Sequence, residues 1–160
     1  MAKTVNPKPA HLHTVTPYLT IKDAHEAVQF YKKALGATEI MSMPGPDGKV
    51  MHAEIKIGDS IIMIGEECPQ RDALGPLSRG GATGSLMVYF DHVDAAFDQA
   101  VKAGCSVMMP LSDMFWGDRY GVVTDPFGHR WSMATHIEDV SPEEMMKRQE
   151  KASKQMAEAK

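Results

Sequence analysis

Two clusters of residues carry most of the chemistry open to this sequence. His52 and Glu54 stand two apart in a run, 50–57, that alternates as a strand does, so both side chains share one face. A histidine beside a carboxylate moves protons or contributes to a metal site. Two ligands do not hold an ion by themselves, and a third would have to come from elsewhere. His11 and His13, also two apart, are candidates on the N-terminal arm; the alternative is that the arm is simply exposed. For His52 and Glu54 the alternative is a pair on the outer side of a sheet, facing solvent or a second subunit. The other cluster is Trp116-Gly-Asp-Arg-Tyr-Gly121. Arg119 is suited to clamp an anionic or planar ligand, and Trp116 or Tyr120 to stack on it. Its structural alternative is an Asp118/Arg119 ion pair in a loop entering a strand.

Other chemistries lack their residues. There is no nucleophile elbow, no phosphate-binding glycine loop and no Cys-x-x-Cys, and Gly80-Gly81 reads as linker. His129 and His136 flank the last strand and are expected at the surface. Cys68 and Cys105 are too few for a disulfide framework in 160 residues and are expected to be structural thiols. A net charge of −4 gives no basic footprint for nucleic acid or an anionic membrane. No apolar run is long enough to span a bilayer, and none near the start resembles a signal peptide. A soluble, cytoplasmic protein is expected. Hydrophobic residues at 43% suffice for one core. Among them are thirteen Met against five Phe, four Tyr and two Trp. Met fills irregular core gaps and also lines adaptable binding surfaces.

The elements that must position these residues follow from pattern. Residues 15–21 read as a strand, and Pro17 makes it an edge or a bulge. A helix follows, with Asp23 as its expected N-cap, Ala27, Phe30, Tyr31, Ala34 and Leu35 at helical spacing, and Gly36 as its stop. Strands are expected at 38–43, 50–57 and 60–64, and a loop at 69–83. The order then repeats: strand 85–90, helix 93–103 stopped by Gly104, strand 106–110, and strands 120–124 and 130–135 joined by Asp125-Pro-Phe-Gly128. This is a βαβββ order used twice, with Asp23, Ala27 and Gly36 recurring as Asp91, Ala95 and Gly104. The expected layout is an arm (1–13), a single domain (14–137) and a helical tail (138–160). Within the domain, module 1 spans about 14–67, the linker 68–83 and module 2 about 84–137. The tail helix should start at Ser141-Pro-Glu-Glu144, run to Lys160 and carry Glu143/Lys147, Glu144/Arg148 and Glu150/Lys154 pairs.

The paired modules, the helix ending Phe30-Tyr-Lys-Lys-Ala-Leu-Gly36 and the Asp125-Pro-Phe-Gly128 hairpin resemble the vicinal oxygen chelate (VOC) superfamily. Its members include glyoxalase I, bleomycin and fosfomycin resistance proteins and extradiol dioxygenases. Residues 51–60, 115–121 and 128–136 resemble its PhnB-like branch. The resemblance implies an α+β fold of two βαβββ modules whose curled mixed sheets form a cup (the glyoxalase/bleomycin resistance fold), commonly completed in a homodimer. Metal-dependent members hold a divalent ion with four inward His, Gln or Glu side chains. Carried across, those positions are Thr16, Met63, Ser85 and Ser132, and a shift of one residue restores no ligand set. The standard metal centre is therefore expected to be absent, and no cofactor is expected.

On the same resemblance Tyr18, Met63, Ser85, Met87 and Tyr89 face the cup, together with Trp116, Asp118, Arg119 and Tyr120 at its mouth. That lining suits a small, partly apolar planar molecule. The leading expectation is a binding protein of the sequestering kind, oriented by Thr16, Ser85, Ser132 and Arg119. The alternatives are a glyoxalase-type lyase or isomerase using His52 and Glu54, with a divalent metal or by acid/base chemistry, and a non-catalytic interaction protein.

Overall fold

The computed structural model describes residues 5–158. Strand β1 (Tyr18–Ile21), helix α1 (Ala24–Ala34) and strands β2 (Thr38–Pro44), β3 (Val50–Ile57) and β4 (Ser60–Glu66) form the first module. The second contains β5 (Ser85–Tyr89), α3 (Val93–Ala103), β6 (Ser106–Asp113), β7 (Asp118–Thr124) and β8 (Arg130–His136). A 3-10 turn (Pro69–Arg71) and the short helix α2 (Pro76–Arg79) join them, and α4 (Pro142–Glu158) follows. The βαβββ order thus occurs twice in an α+β fold.

Each module builds one open four-stranded sheet, in the orders β1-β4-β3-β2 and β5-β8-β7-β6. In both, the first strand runs parallel to the fourth and the other pairs are antiparallel. Prolines sit where a missing donor is tolerated. Pro17 precedes the edge strand β1, where its carbonyl still accepts Met63 N at 2.9 Å, and Pro110 lies in the edge strand β6.

Helical spacing puts Ala24, Ala27, Val28, Tyr31 and Ala34 of α1, and Val93, Phe97 and Ala100 of α3, against the sheets. Gly36, at φ 65°, ends α1 as expected. The start of α1 differs from expectation. Asp23 adopts φ 64° and its side chain makes no cap; Glu66 at the end of β4 instead accepts the amides of Asp23 (3.0 Å) and Ala24 (2.8 Å). Thr135 of β8 does the same for Val93 at 2.8 Å. Both helices are capped from a distant strand, which local sequence cannot show.

The expected loop at 69–83 contains two helical turns because Glu67 collects Gly75 N (2.6 Å) and Ser78 Oγ (2.9 Å), while Arg79 pairs with Asp72. In the tail, Ser141 Oγ accepts Glu144 N at 3.2 Å. Of the three expected ion pairs, Glu144/Arg148 forms at 2.9 Å among the described residues, and Arg148 also grips Glu138 at 2.7 Å. Residues 159 and 160, where that helix was expected to end, lie outside the described residues.

The two modules share a single hydrophobic core. At its centre Asp125, only 4% exposed, accepts Tyr31 OH (2.7 Å) and Trp131 Nε1 (2.8 Å) on one oxygen. Its other oxygen takes Phe127 N and His129 N, each at 2.9 Å. Burial first, then the Asp125 charge, hold the Tyr31 phenol well above the ordinary tyrosine value, so it remains a donor. Burial likewise pushes the Cys105 thiol up to about 12, which makes it an inert core group. Asp125→Ala strands the Tyr31 and Trp131 donors in a dry interior. Urea titration should show a loss of about 3 kcal/mol or more, and a change below about 0.5 kcal/mol would refute the role given to Asp125.

Candidate functional site

Strand alternation divides each sheet into a face packed on the helices and a face free of them. In the first sheet, Ala53, Ile55, Ile62 and Ile64 are buried toward the helices. The other face carries Tyr18, Met63, Glu54 and Met41, which stand side by side across four strands. The neighbouring row holds His52 and Gly65. Tyr18 folds over Gly65, where a Cβ would stand 3.0 Å from its hydroxyl oxygen, and reaches His52 Nδ1 at 3.1 Å. His52 Nε2 lies 3.7 Å from Glu54 Oε1. Glu54 is only 5% exposed, and its other oxygen accepts His11 Nε2 at 3.1 Å. The arm expected to be simply exposed therefore reaches back to this face through His11.

In the second sheet the helix-free face carries Ser85, Met87 and Tyr89 of β5, Asp118 and Tyr120 of β7, and Ser132 and His136 of β8. Tyr120 OH, Ser132 Oγ and Ser85 Oγ form a chain, with steps of 3.0 and 3.2 Å. Since Ser132 gives its hydrogen to Ser85, Tyr120 donates to Ser132, and the exposed Ser85 hydroxyl keeps a hydrogen to give. Asp118, 4% exposed, accepts Tyr89 OH and Trp116 Nε1, each at 3.0 Å, and His136 Nδ1 at 2.8 Å.

Arg119 departs from its expected place at the cup. It follows Asp118 in β7, so it points the opposite way, toward α3, where it is held by Asp94 and Asp113 at 2.7 and 2.9 Å. Those two hydrogen bonds raise its pKa further and leave the guanidinium committed. The same alternation removes the supposed Asp118/Arg119 pair. Thr16 sits just ahead of β1 and gives its hydroxyl hydrogen to the His13 carbonyl at 3.0 Å. His129, expected at the surface, is half-buried with Nε2 3.3 Å from the Thr20 carbonyl, and burial lowers its pKa.

The outer strands β1 and β5 flank the module junction without sharing a sheet. Two open clefts lie there. The larger, about 1160 Å³, is lined by Tyr18, Leu19, Ile61, Ser85, Met87 and Tyr89 among others. The smaller, about 640 Å³, runs under Thr20, Leu74, Pro76 and His129 and shares Tyr18 and Ser85. The larger holds more of the residues that chemistry singles out. Among the described residues, no three His, Cys, Asp or Glu side chains converge so as to hold a metal ion. No described helix is long and apolar enough to cross a membrane.

Two open βαβββ sheets with polar and thioether side chains on their helix-free faces define a class of protein. The family profile of the glyoxalase/bleomycin resistance protein/dioxygenase superfamily matches residues 10–133, and the chain belongs to that superfamily. It is 40% identical over 144 residues to an uncharacterized protein of Mycobacterium bovis, covering 88% of this chain and 92% of that one. Among solved structures it is similar to TioX from Micromonospora (TM-score 0.62, 26% identity, 78% of this chain and 99% of that one). A PhnB protein from Bacillus cereus shares the fold (TM-score 0.59, 18% identity, 77% of this chain and 99% of that one).

His136 generates a pH dependence. Its Nδ1 faces Asp118 and its Nε2 faces Asp139 at 3.0 Å, an arrangement that favours the imidazolium form, in which both nitrogens donate. The Asp118 hydrogen bond, then that of Asp139, raises its pKa above the ordinary value. A raised histidine stabilises the fold fully below about pH 6.5 and loses that contribution as pH rises through the folded value. The melting temperature of wild type should therefore exceed that of His136→Ala by more at pH 6 than at pH 8.5. A difference independent of pH would contradict the pairing.

Proposed function

We propose that this protein binds a small, partly apolar organic molecule against the helix-free faces at the module junction, without the superfamily's divalent centre. The observation that carries the reading is the chemistry of the side chains at the positions that hold the ion in metal-dependent relatives. Thr16 is turned to a backbone carbonyl, Ser85 and Ser132 are bonded to each other, and Met63 offers only a thioether. Hard divalent ions want carboxylate oxygen or imidazole nitrogen, and this donor set does not fit them.

It does fit an organic ligand. Met87 and Tyr89 are 43% and 59% exposed, Tyr18 is 55% exposed, and Met63 is half-buried beside Tyr18. Thioethers and rings supply dispersion and stacking, and the Ser85 hydroxyl supplies orientation. The same exposure supports a homodimer, because a second copy laid over the faces would cover Tyr18, Met41, Met43, Met87 and Tyr89. The charge balance and the absence of a bilayer-length helix among the described residues favour a cytoplasmic setting.

A second reading has one observation behind it. Tyr18, His52 and Glu54 lie in line at 3.1 and 3.7 Å, which suits acid/base catalysis on a ligand bound beside Tyr18.

Protein purified without chelator should carry divalent metal well below one ion per chain, whereas a stoichiometric ion lost in His52→Ala would overturn the binding reading. A neutral planar aromatic at 100 times its dissociation constant adds about 2.7 kcal/mol, a rise in melting temperature of about 5–10 °C. No shift with any compound of that kind would also count against it. A monomeric mass in sedimentation at micromolar concentration would refute the dimer.

A further inference from the structure

The buried carboxylates Asp125, Asp118 and Glu54 and the half-buried Glu66 differ in who satisfies them. Asp125 has four donors, all from the core or its own hairpin. Asp118 has three from the second sheet and its entry loop, and Glu66 has two amides of the α1 start. Each is held by the fold itself. Glu54 is the exception. Its neighbour in the sheet, His52, stops at 3.7 Å, and among the described residues its one hydrogen bond comes from His11 on the arm. The His11 side chain is itself 54% exposed, while that of Glu54 is only 7% exposed.

A carboxylate so far removed from water is costly unless a donor meets it. Here the donor is a flat, nitrogen-bearing ring delivered from outside both sheets. Around the contact, Met41 and Met63 stand on either side of Glu54 in register, and Met43 is paired with His52. Tyr18 closes the row beyond Met63. A carboxylate among thioethers and an aromatic ring is complementary to a positive charge on an apolar body.

We propose that Glu54 anchors the cationic head of an organic ligand, an amidinium, ammonium or ring cation, and that His11 occupies this position until the ligand displaces it. The proposal rests on the reading of the helix-free face as a ligand site and names the ligand's charge. The imidazole of His11 stands where the ligand's N–H donor belongs, and the ligand's apolar part lies over Met63 and Tyr18. Displacement gives up the packing of only about half of the His11 ring, whereas the gain is a charge pair at a poorly hydrated carboxylate.

Two fluorescent probes test this on the full chain: the planar cation ethidium and the neutral, similarly flat 1-aminoanthracene. In wild type the cation should bind more tightly than the neutral probe. His11→Ala should widen that preference severalfold by removing the competitor. Glu54→Gln, which keeps size and one acceptor oxygen but removes the charge, should cut cation affinity about tenfold or more while the neutral probe loses far less. An unchanged circular dichroism spectrum and cooperative melting show that the variant is folded. Equal loss of both probes in Glu54→Gln, or no change in preference in either variant, would overturn the anchor role while leaving the site itself standing. Failure of the neutral probe to bind wild type and His11→Ala alike would overturn the ligand site and the anchor with it.

Discussion

The buried carboxylate of Asp125 is the contact on which the arrangement of the two modules depends. Its partners come from both halves of the chain: Tyr31 belongs to α1 of the first module, while Trp131 and the Phe127 and His129 amides belong to the β7–β8 hairpin of the second. The rings follow the charge, with Tyr31 edge-on to Trp131 at 5.2 Å and Phe30 edge-on to Phe127 at 5.8 Å. Because α1 is fixed to that hairpin, His129 is carried to the Thr20 carbonyl, and β1 and β5 line the same clefts. The clefts at the module junction follow from that docking.

The duplicated modules keep what holds them folded and differ where a ligand would lie. Glu66 and Thr135 occupy matching strand ends and both cap a helix. The helix-free faces have no such match. The first gathers Tyr18, His52 and a carboxylate closed by the arm, whereas the second links Tyr120, Ser132 and Ser85 and satisfies Asp118 internally. A protein that needed a symmetrical metal quartet would hold matched donors in the two halves, and here Met63 and Ser132 stand at corresponding places.

Much of the fold was legible in the sequence because local pattern decides it. The alternation in Val50–Ile57 and the spacing in Val93–Ala103 mark those elements to the residue. What escaped was long-range. Asp23 looked like a cap, yet the cap is Glu66, 43 positions on from it. Asp125 was visible as a turn residue but not as the partner of Tyr31, and nothing near His11 announces Glu54. Arg119 is a different case: the segment reads as a loop entering a strand, but Asp118 already opens β7, and alternation there sets Arg119 on the opposite face. The excess of Met has two explanations in space: Met133 is fully buried core, while Met63, Met87, Met41 and Met43 line the open faces.

Those methionines also report on the central claim, that an organic molecule occupies the helix-free faces. Carbon-13 methyl labelling of Met, with resonances assigned by single Met→Leu variants, gives one signal per side chain. Titration with 1-aminoanthracene should move the Met63 and Met87 methyls and leave Met133 still. Shifts confined to methyls away from these faces, such as the exposed Met146, or no shift at any concentration, would contradict the account.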